Sequence, residues 1–193
     1  MLEIQTKEGL VPRFEQIDAR ELDALASEVG LRGFVHAVLR NGDGEIAQEL
    51  MLRNLITQLG DEYYGERAAN ISGPPDQVTG MRLGTGVTAA AKTGTGAASI
   101  GTYITGSNAA IAGGFPTSSI PGTARRITWK STWAAGVATN AAISEAVITN
   151  ESPLTDVIGA VGNTIARVIL SPAINKGASD TLDLTWHHDL LGS

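Results

Sequence analysis

The strongest constraint on this chain is the alternation of apolar and polar residues over its last 70 positions. In residues 124–134, Ile127, Trp129 and Trp133 alternate with Arg126, Thr128, Lys130 and Thr132. In residues 180–191, Leu182, Leu184, Trp186, His188 and Leu190 alternate with Thr181, Asp183, Thr185, His187 and Asp189. A period of two places one set of side chains on a buried sheet face and the other on a wet one. Two further apolar runs, residues 141–149 and 164–171, lie between them. Four such runs, joined by turn-rich segments with no helical crossover, predict a mainly β, antiparallel β-sandwich or jelly-roll-like body.

The earlier part of the chain adds a hairpin, two short helices and an arm. Apolar-rich runs flank Asn41-Gly42-Asp43-Gly44, a turn signature, so residues 33–52 read as a β-hairpin. Residues 18–29 read as a helix capped by Asp18, with Glu21 at capping-box spacing and Gly30 as its stop. Residues 54–69 read as a second helix capped by Asn54, with Leu55, Leu59 and Tyr63 on one face and Gly60 and Gly65 each weakening it by about 1 kcal/mol relative to Ala. Residues 1–17 read as an extended arm, because Gly9 and Pro12 oppose regular structure there. Its apolar load, which includes Leu10, Phe14 and Ile17, is too large for a freely solvated tail and points to assembly contacts with a neighbouring protein, the alternative being an arm folded back on its own body. The division is therefore residues 1–32, arm and short helix, and residues 33–193, a single β-sandwich body.

Residues 84–122 stand apart. Lys92 is their only charged residue, and Gly, Ala, Ser and Thr dominate. Short strands are expected around residues 81–84 and 98–105, joined by long loops. So little bulk cannot offset the ~1–2 kcal/mol per residue needed to fix the backbone. Part of the stretch is therefore expected to pack against another subunit or to be poorly ordered in a monomer.

Composition excludes several classes of chemistry. The chain has no cysteine, which removes disulfides, thiolate metal sites and cysteine nucleophiles. Its net charge of −6 gives no footprint for nucleic acid. Thirteen of the twenty acidic residues lie in residues 1–70, against seven of the fourteen basic ones, which leaves the remainder neutral. The start shows neither a signal-peptide pattern nor a spanning apolar segment, so no membrane contact is expected.

Candidate sites reduce to structural roles. Residues 84–89 match G-x-G-x-x-A, but no helix pattern follows and no acidic residue lies within residues 93–124, so a nucleotide site is not expected. His187 and His188 are adjacent on a strand and point to opposite faces, which rules against joint metal chelation; His188 reads as a hydrogen-bonded core residue and His187 as a surface partner of Asp189. Trp129, Trp133 and Trp186 read as core. Glu145 and Arg167 each interrupt an apolar run. A lone buried charge is costly, so the two are expected to pair across neighbouring strands. No catalytic, cofactor-binding or metal-ligating residue is assigned, and no cofactor is expected.

Five short elements follow one another in order: Asn54-Leu55-Ile56 with Gly60, Leu83-Gly84-Thr85-Gly86 with Thr88-Ala89, Glu145-Ala146-Val147-Ile148, Ala166-Arg167-Val168-Ile169-Leu170, and Asp180-Thr181-Leu182 with Thr185-Trp186. In this order they resemble a family of structural proteins of tailed-bacteriophage particles, over most of the chain after residue 32. Val147 departs from the pattern, which more often has glycine. The resemblance implies a non-enzymatic virion protein made in the host cytoplasm. Its members look like capsid decoration (cement) proteins in some cases and tail, baseplate or fibre proteins in others. The chain is short for a fibre and lacks repeats or heptads, which favours the capsid surface, with the major capsid protein as partner and a homotrimer or other homo-oligomer as the assembled form.

Overall fold

The computed structural model describes residues 30–191 and the backbone of residues 5–6 and 9–10. The expected helix over residues 18–29 lies outside these residues, as do Phe14 and Ile17. Leu10 lies on β2 (Gly9–Leu10), which pairs antiparallel with β1 (Gln5–Thr6). This part of the arm therefore has a local strand partner, because Gly9 is tolerated in so short a ladder and Pro12 falls beyond it.

The body is mainly β. Nine antiparallel strands form one curled sheet: β3 (Gly30–Arg40), β4 (Ile46–Ile56), β5 (Gly80–Gly84), β6 (Ala109–Ala110), β7 (Thr117–Ser119), β8 (Arg125–Trp133), β9 (Asn140–Thr149), β10 (Thr164–Lys176) and β11 (Thr181–Leu191). Their spatial order is β6-β5-β9-β10-β4-β3-β11-β8-β7. β3 and β4 form the hairpin read from the turn signature. Asn41 Oδ1 accepts the Asp43 and Glu45 amides at 3.1 and 2.9 Å, which fixes the reversal. β11 is the central strand of the second half, paired along its length with β3, from Thr181↔Arg40 to Leu191↔Gly30, and with β8 from Leu182↔Trp133 to Leu190↔Arg125. The alternation that predicted it holds as far as His188: Leu182, Leu184, Trp186 and His188 are fully buried, and Asp183, Thr185 and His187 are half-exposed on the other face, whereas Leu190, near the strand end, is exposed.

The curled sheet closes on itself. Residues 109–112 lie between its two ends, with the Ile111 amide donating to Thr79 O at 3.2 Å and the Ala112 amide donating to Lys130 O at 2.8 Å. Ser131 Oγ donates to Ala110 O at 3.0 Å across the same seam. These contacts cover part of the open hydrogen-bonding edge that a long flat sheet would expose, while β7 stays exposed as an edge strand. The enclosed core holds Trp129, Trp133, Trp186, Met81, Leu83, Ile143, Ile148, Ile165 and Leu170. The indole N–H of Trp133 donates to Ser107 O at 2.7 Å, so its polar edge is satisfied inside the core.

The helix α1 (Gln58–Ala68) starts four residues after the Asn54 expected as its cap. Asn54 stays in β4, opposite Gly33, and Leu55 and Ile56 pair with Arg167 and Ala166 of β10. Strand pairing of these two apolar residues overrides their helical spacing, and Thr57 becomes the cap, its Oγ1 accepting the Gly60 amide at 3.1 Å. The strand expected around residues 98–105 does not form; that segment contributes only an isolated bridge, Gly84↔Tyr103.

The two glycines of α1 have different roles. A Cβ on Gly60 would lie 2.3 Å from Ile165 O and 2.4 Å from Ile56 Cγ2, whereas one on Gly65 meets nothing within 4 Å. Gly60 is therefore a close contact between helix and sheet. Gly60→Ala is expected to destabilise the protein by about 1–3 kcal/mol, because overpacking exceeds the gain in helix propensity. Gly65→Ala is expected to stabilise it by about 0.5–1 kcal/mol. Urea unfolding of both variants checks the pair; shifts of the same sign would contradict this account.

Candidate functional site

Glu145 and Arg167 meet, both fully buried, on the adjacent strands β9 and β10. In the register Glu145 lies opposite Ile169, so Arg167 reaches it diagonally, two residues along. Arg167 Nη2 and Nε donate to Glu145 Oε2 at 2.7 and 3.0 Å. The other oxygen, Oε1, accepts three backbone amides: Gly86 at 2.7 Å, Thr102 at 2.8 Å and Gly101 at 3.0 Å. Arg167 Nη1 donates to Thr88 O at 2.7 Å, and Ser144 Oγ to Gly86 O at 3.0 Å. Both buried charges are thus surrounded by partners, the condition under which burial of an ion pair is tolerated.

This arrangement explains the glycine-rich motif. A Cβ on Gly84 or Gly86 would fall 2.4 Å from Glu145 Oε1. The segment that superficially matched a phosphate-binding fingerprint presents one amide, that of Gly86, to an anion, and the anion is the chain's own carboxylate. The same contacts show which part of residues 84–122 packs within the chain. Ala98, Ser99, Ile100 and Ser107 are buried within this chain, because Glu145 and Arg167 supply the polar anchor that side-chain bulk does not. Most of residues 113–123 are exposed.

A second buried polar cluster surrounds His188. Trp186 Nε1 donates to His188 Nε2 at 3.0 Å. An indole only donates, so Nε2 is the unprotonated nitrogen, and Nδ1–H donates to Tyr64 Oη, 2.7 Å away. Asn54 Nδ2 also reaches Nε2 at 3.1 Å by crossing over Gly33, where a Cβ would fall 1.6 Å from Asn54 Oδ1. Burial holds the His188 pKa down to about 3, so the ring is neutral.

The opposite face of β3, β11 and β8 carries His187. Thr128 Oγ1 lies 2.9 Å from its Nδ1, and its ring packs on Phe34 at a centroid separation of 4.9 Å. Asp189 is taken by Arg126, in a bidentate pair at 2.7 and 2.9 Å, and the Arg126 guanidinium lies 4.4 Å from the Phe34 ring centroid. Burial first, then Arg126, lowers the His187 pKa to about 4. His36 pairs with Glu49 at 2.6 Å, away from His188.

Sequence reasoning missed two buried cations. Arg82 is paired with Glu151 and also donates to Thr155 O at 3.0 Å. Lys176 donates to Ala134 O at 2.9 Å, and burial lowers its pKa. Arg82 carried the signal that identified Glu145 and Arg167, a lone charge within an apolar run. Lys176, at a strand end beside Gly177, carried none. Among the described residues no group of three or more His, Asp or Glu side chains is placed to hold a metal ion.

Comparisons with protein-family models, with curated proteins and with solved structures find no match.

Two outcomes follow from the buried clusters. Arg167→Ala leaves Glu145 as an uncompensated buried charge and is expected to cost about 3–5 kcal/mol. It should also accelerate hydrogen exchange at the Gly86, Gly101 and Thr102 amides. A loss below about 1 kcal/mol, the size of an average substitution, would refute this role for the pair.

The His188 pKa is depressed on folding. Its contribution is intact above the unfolded value near 6.5 and is lost as pH falls toward 3, because only the unfolded chain takes up the proton over that interval. Urea midpoints should fall between pH 6.5 and 4, with a slope of up to about 1.4 kcal/mol per unit from this ring. A ring titrating near 6.5 in the folded protein, read by NMR, would contradict this.

Proposed function

We propose that this chain is a non-enzymatic structural protein of a tailed-bacteriophage virion, on the capsid surface, where it acts as a decoration protein tying neighbouring subunits of the major capsid protein. The observation that carries this reading is convergence. Gly84 and Gly86, Glu145, and Arg167 come from three of the short elements that carry the family resemblance, and they meet in a single buried cluster, with the carbonyl of the exposed Thr88 at its edge. A fourth element supplies Asn54 and Gly60, and the fifth supplies Trp186; these sit in the His188 cluster and at the α1–β10 contact. Elements that share an order along the chain and also meet inside the fold have a common fold-building role.

The buried charges support the same reading. Glu145, Arg167, Arg82 and Lys176 all bond within the chain, so the protein invests its interior polarity in holding loops. A curled sheet whose loops are tied to buried charges suits a surface protein whose work is contact. In the virion the chain acts as a homotrimer or other homo-oligomer, and a place on the tail, baseplate or fibre is the alternative.

The test is location. Gold-labelled antibody against the full chain, applied to particles released from the host that carries the gene, is expected to decorate heads in many copies. Label confined to tails moves the protein to the tail. Intact particles that carry no label would end the virion reading.

A further inference from the structure

β4 offers more edge than its own sheet uses. It runs for 11 residues, yet within it only Leu55 and Ile56 pair with β10. Beyond them β10 stands off by the length of a side chain, with Gln48 Nε2 3.5 Å from the Pro172 and Ala173 carbonyls. The ladder fixes the direction of the backbone groups left over. The Thr57 amide donates to Ile165 O at 3.0 Å and Leu55 lies opposite Arg167, so the odd-numbered residues of β4 turn N–H and C=O to this side. The even-numbered ones turn theirs to β3. Glu49, Met51 and Arg53 each present a donor and an acceptor along an edge on which no strand is paired among the described residues.

The other open stretches of the large sheet are guarded. β7 is 3 residues long and lies between Pro116 and Pro121. The exposed part of β10, residues 171–173, holds Pro172, which has no N–H to give. Between residues 48 and 54 β4 has no proline and no lysine, and it turns no charge inward; Leu50 and Leu52 pack against the core. Its two charges, Glu49 and Arg53, are exposed, opposite in sign and evenly placed about Met51, which is 61% exposed.

This spacing makes the edge complementary to itself. Two copies of β4 related by a twofold axis at Met51 pair antiparallel. Glu49 of each then faces Arg53 of the other, Met51 faces Met51, and Leu50 lies opposite Leu52 on the inner side. The edge donors and acceptors of Glu49, Met51 and Arg53 all meet their counterparts. Opposite charges across a ladder stabilise it and like charges oppose it. An axis at Glu49 or at Arg53 sets like charges face to face, and an axis at an even-numbered residue opposes groups that are turned to β3. Charge and backbone direction thus select one register. His36 holds Glu49 Oε1 at 2.6 Å, which leaves Oε2 for the incoming guanidinium.

We propose that the free edge of β4 pairs with the same edge of a second copy of this chain, about a twofold axis at Met51. The contact rests on β4 alone and holds whether or not the chain belongs to a virion.

Sedimentation of the full chain is expected to show a monomer–dimer equilibrium. Hydrogen exchange at the Glu49, Met51 and Arg53 amides should slow as concentration rises. E49R and R53E each turn both cross-strand pairs repulsive and should weaken dimerisation by about tenfold or more. Mixed in equal amounts, the two variants recover opposite charges on both sides of the axis and should form a heterodimer of native affinity. The proposal is overturned by a chain that stays monomeric at high concentration, by reversals that leave the dimer intact, or by folded variants that do not associate when mixed. A trimer, which has no twofold axis at Met51, overturns the pairing and leaves the virion reading untouched. Slow exchange at these amides in a dilute monomer would put another segment of the same chain on the edge, which also overturns it. The exchange measurement uses the native chain, so a variant that fails to fold leaves the test in place.

Discussion

The ion pair between Glu145 and Arg167 is the contact on which the rest of this structure depends. It joins β9 to β10 in the interior and holds the ends of a glycine-rich excursion in which Ile100 is the one large buried side chain. Two charges removed from water are individually unfavourable. Here each is surrounded: the carboxylate by three amides and a guanidinium, the guanidinium by the carboxylate and the Thr88 carbonyl. Replacing such a pair with well-packed apolar residues is often neutral for stability. In this protein an apolar replacement would leave the Gly86, Gly101 and Thr102 amides without an acceptor, so the pair serves loop placement as well as strand cohesion.

The His188 cluster does comparable work in the other half of the sheet. It joins β4, β11 and α1 through one neutral ring whose two nitrogens have opposite roles. Gly33 is the local condition for it, since any side chain there would occupy the path of Asn54. The two clusters flank the short β4–β10 ladder, where only Leu55 and Ile56 pair with β10. The narrowest seam between the halves of the sheet thus has polar anchors close by.

Much of the fold was legible in the sequence because alternation is a local signal. The strands β8 and β11 follow from the spacing of Ile127, Trp129 and Trp133 and of Leu182, Leu184 and Trp186, and the hairpin follows from its turn residues. The start of α1 was not legible, because Leu55 and Ile56 fit a helical face and a strand equally well, and a distant partner, β10, decides between them. The path of residues 84–108 was opaque for a related reason. Its anchor lies some 60 residues away in sequence, and a stretch of Gly, Ala, Ser and Thr carries no pattern that names a carboxylate. The need for a partner at Glu145 and Arg167 was readable from chemistry alone, since a single charge in an apolar run has few places to go. The same logic applied to Arg82 leads to Glu151.

The register of β3 against β11 has a mechanical consequence. Gly30 and Leu191 face each other at one end of an antiparallel ladder, while the turns at residues 41–45 and 177–180 lie together at the far end, where a Cβ on Gly42 would sit 3.1 Å from Ser179 Cβ. Tension applied between residues 30 and 191 therefore loads the rungs of this ladder one at a time, in the peeling direction. Tension between residue 30 and the turn at 177–180, or between residue 191 and the turn at 41–45, runs along the strands and loads many rungs together. The same body is compliant to one pull and stiff to the other. The adjacency of residues 30 and 191 also permits them to be joined by a short linker, so that the chain can be reopened in the exposed loop at residues 120–123 with the order of the sheet unchanged.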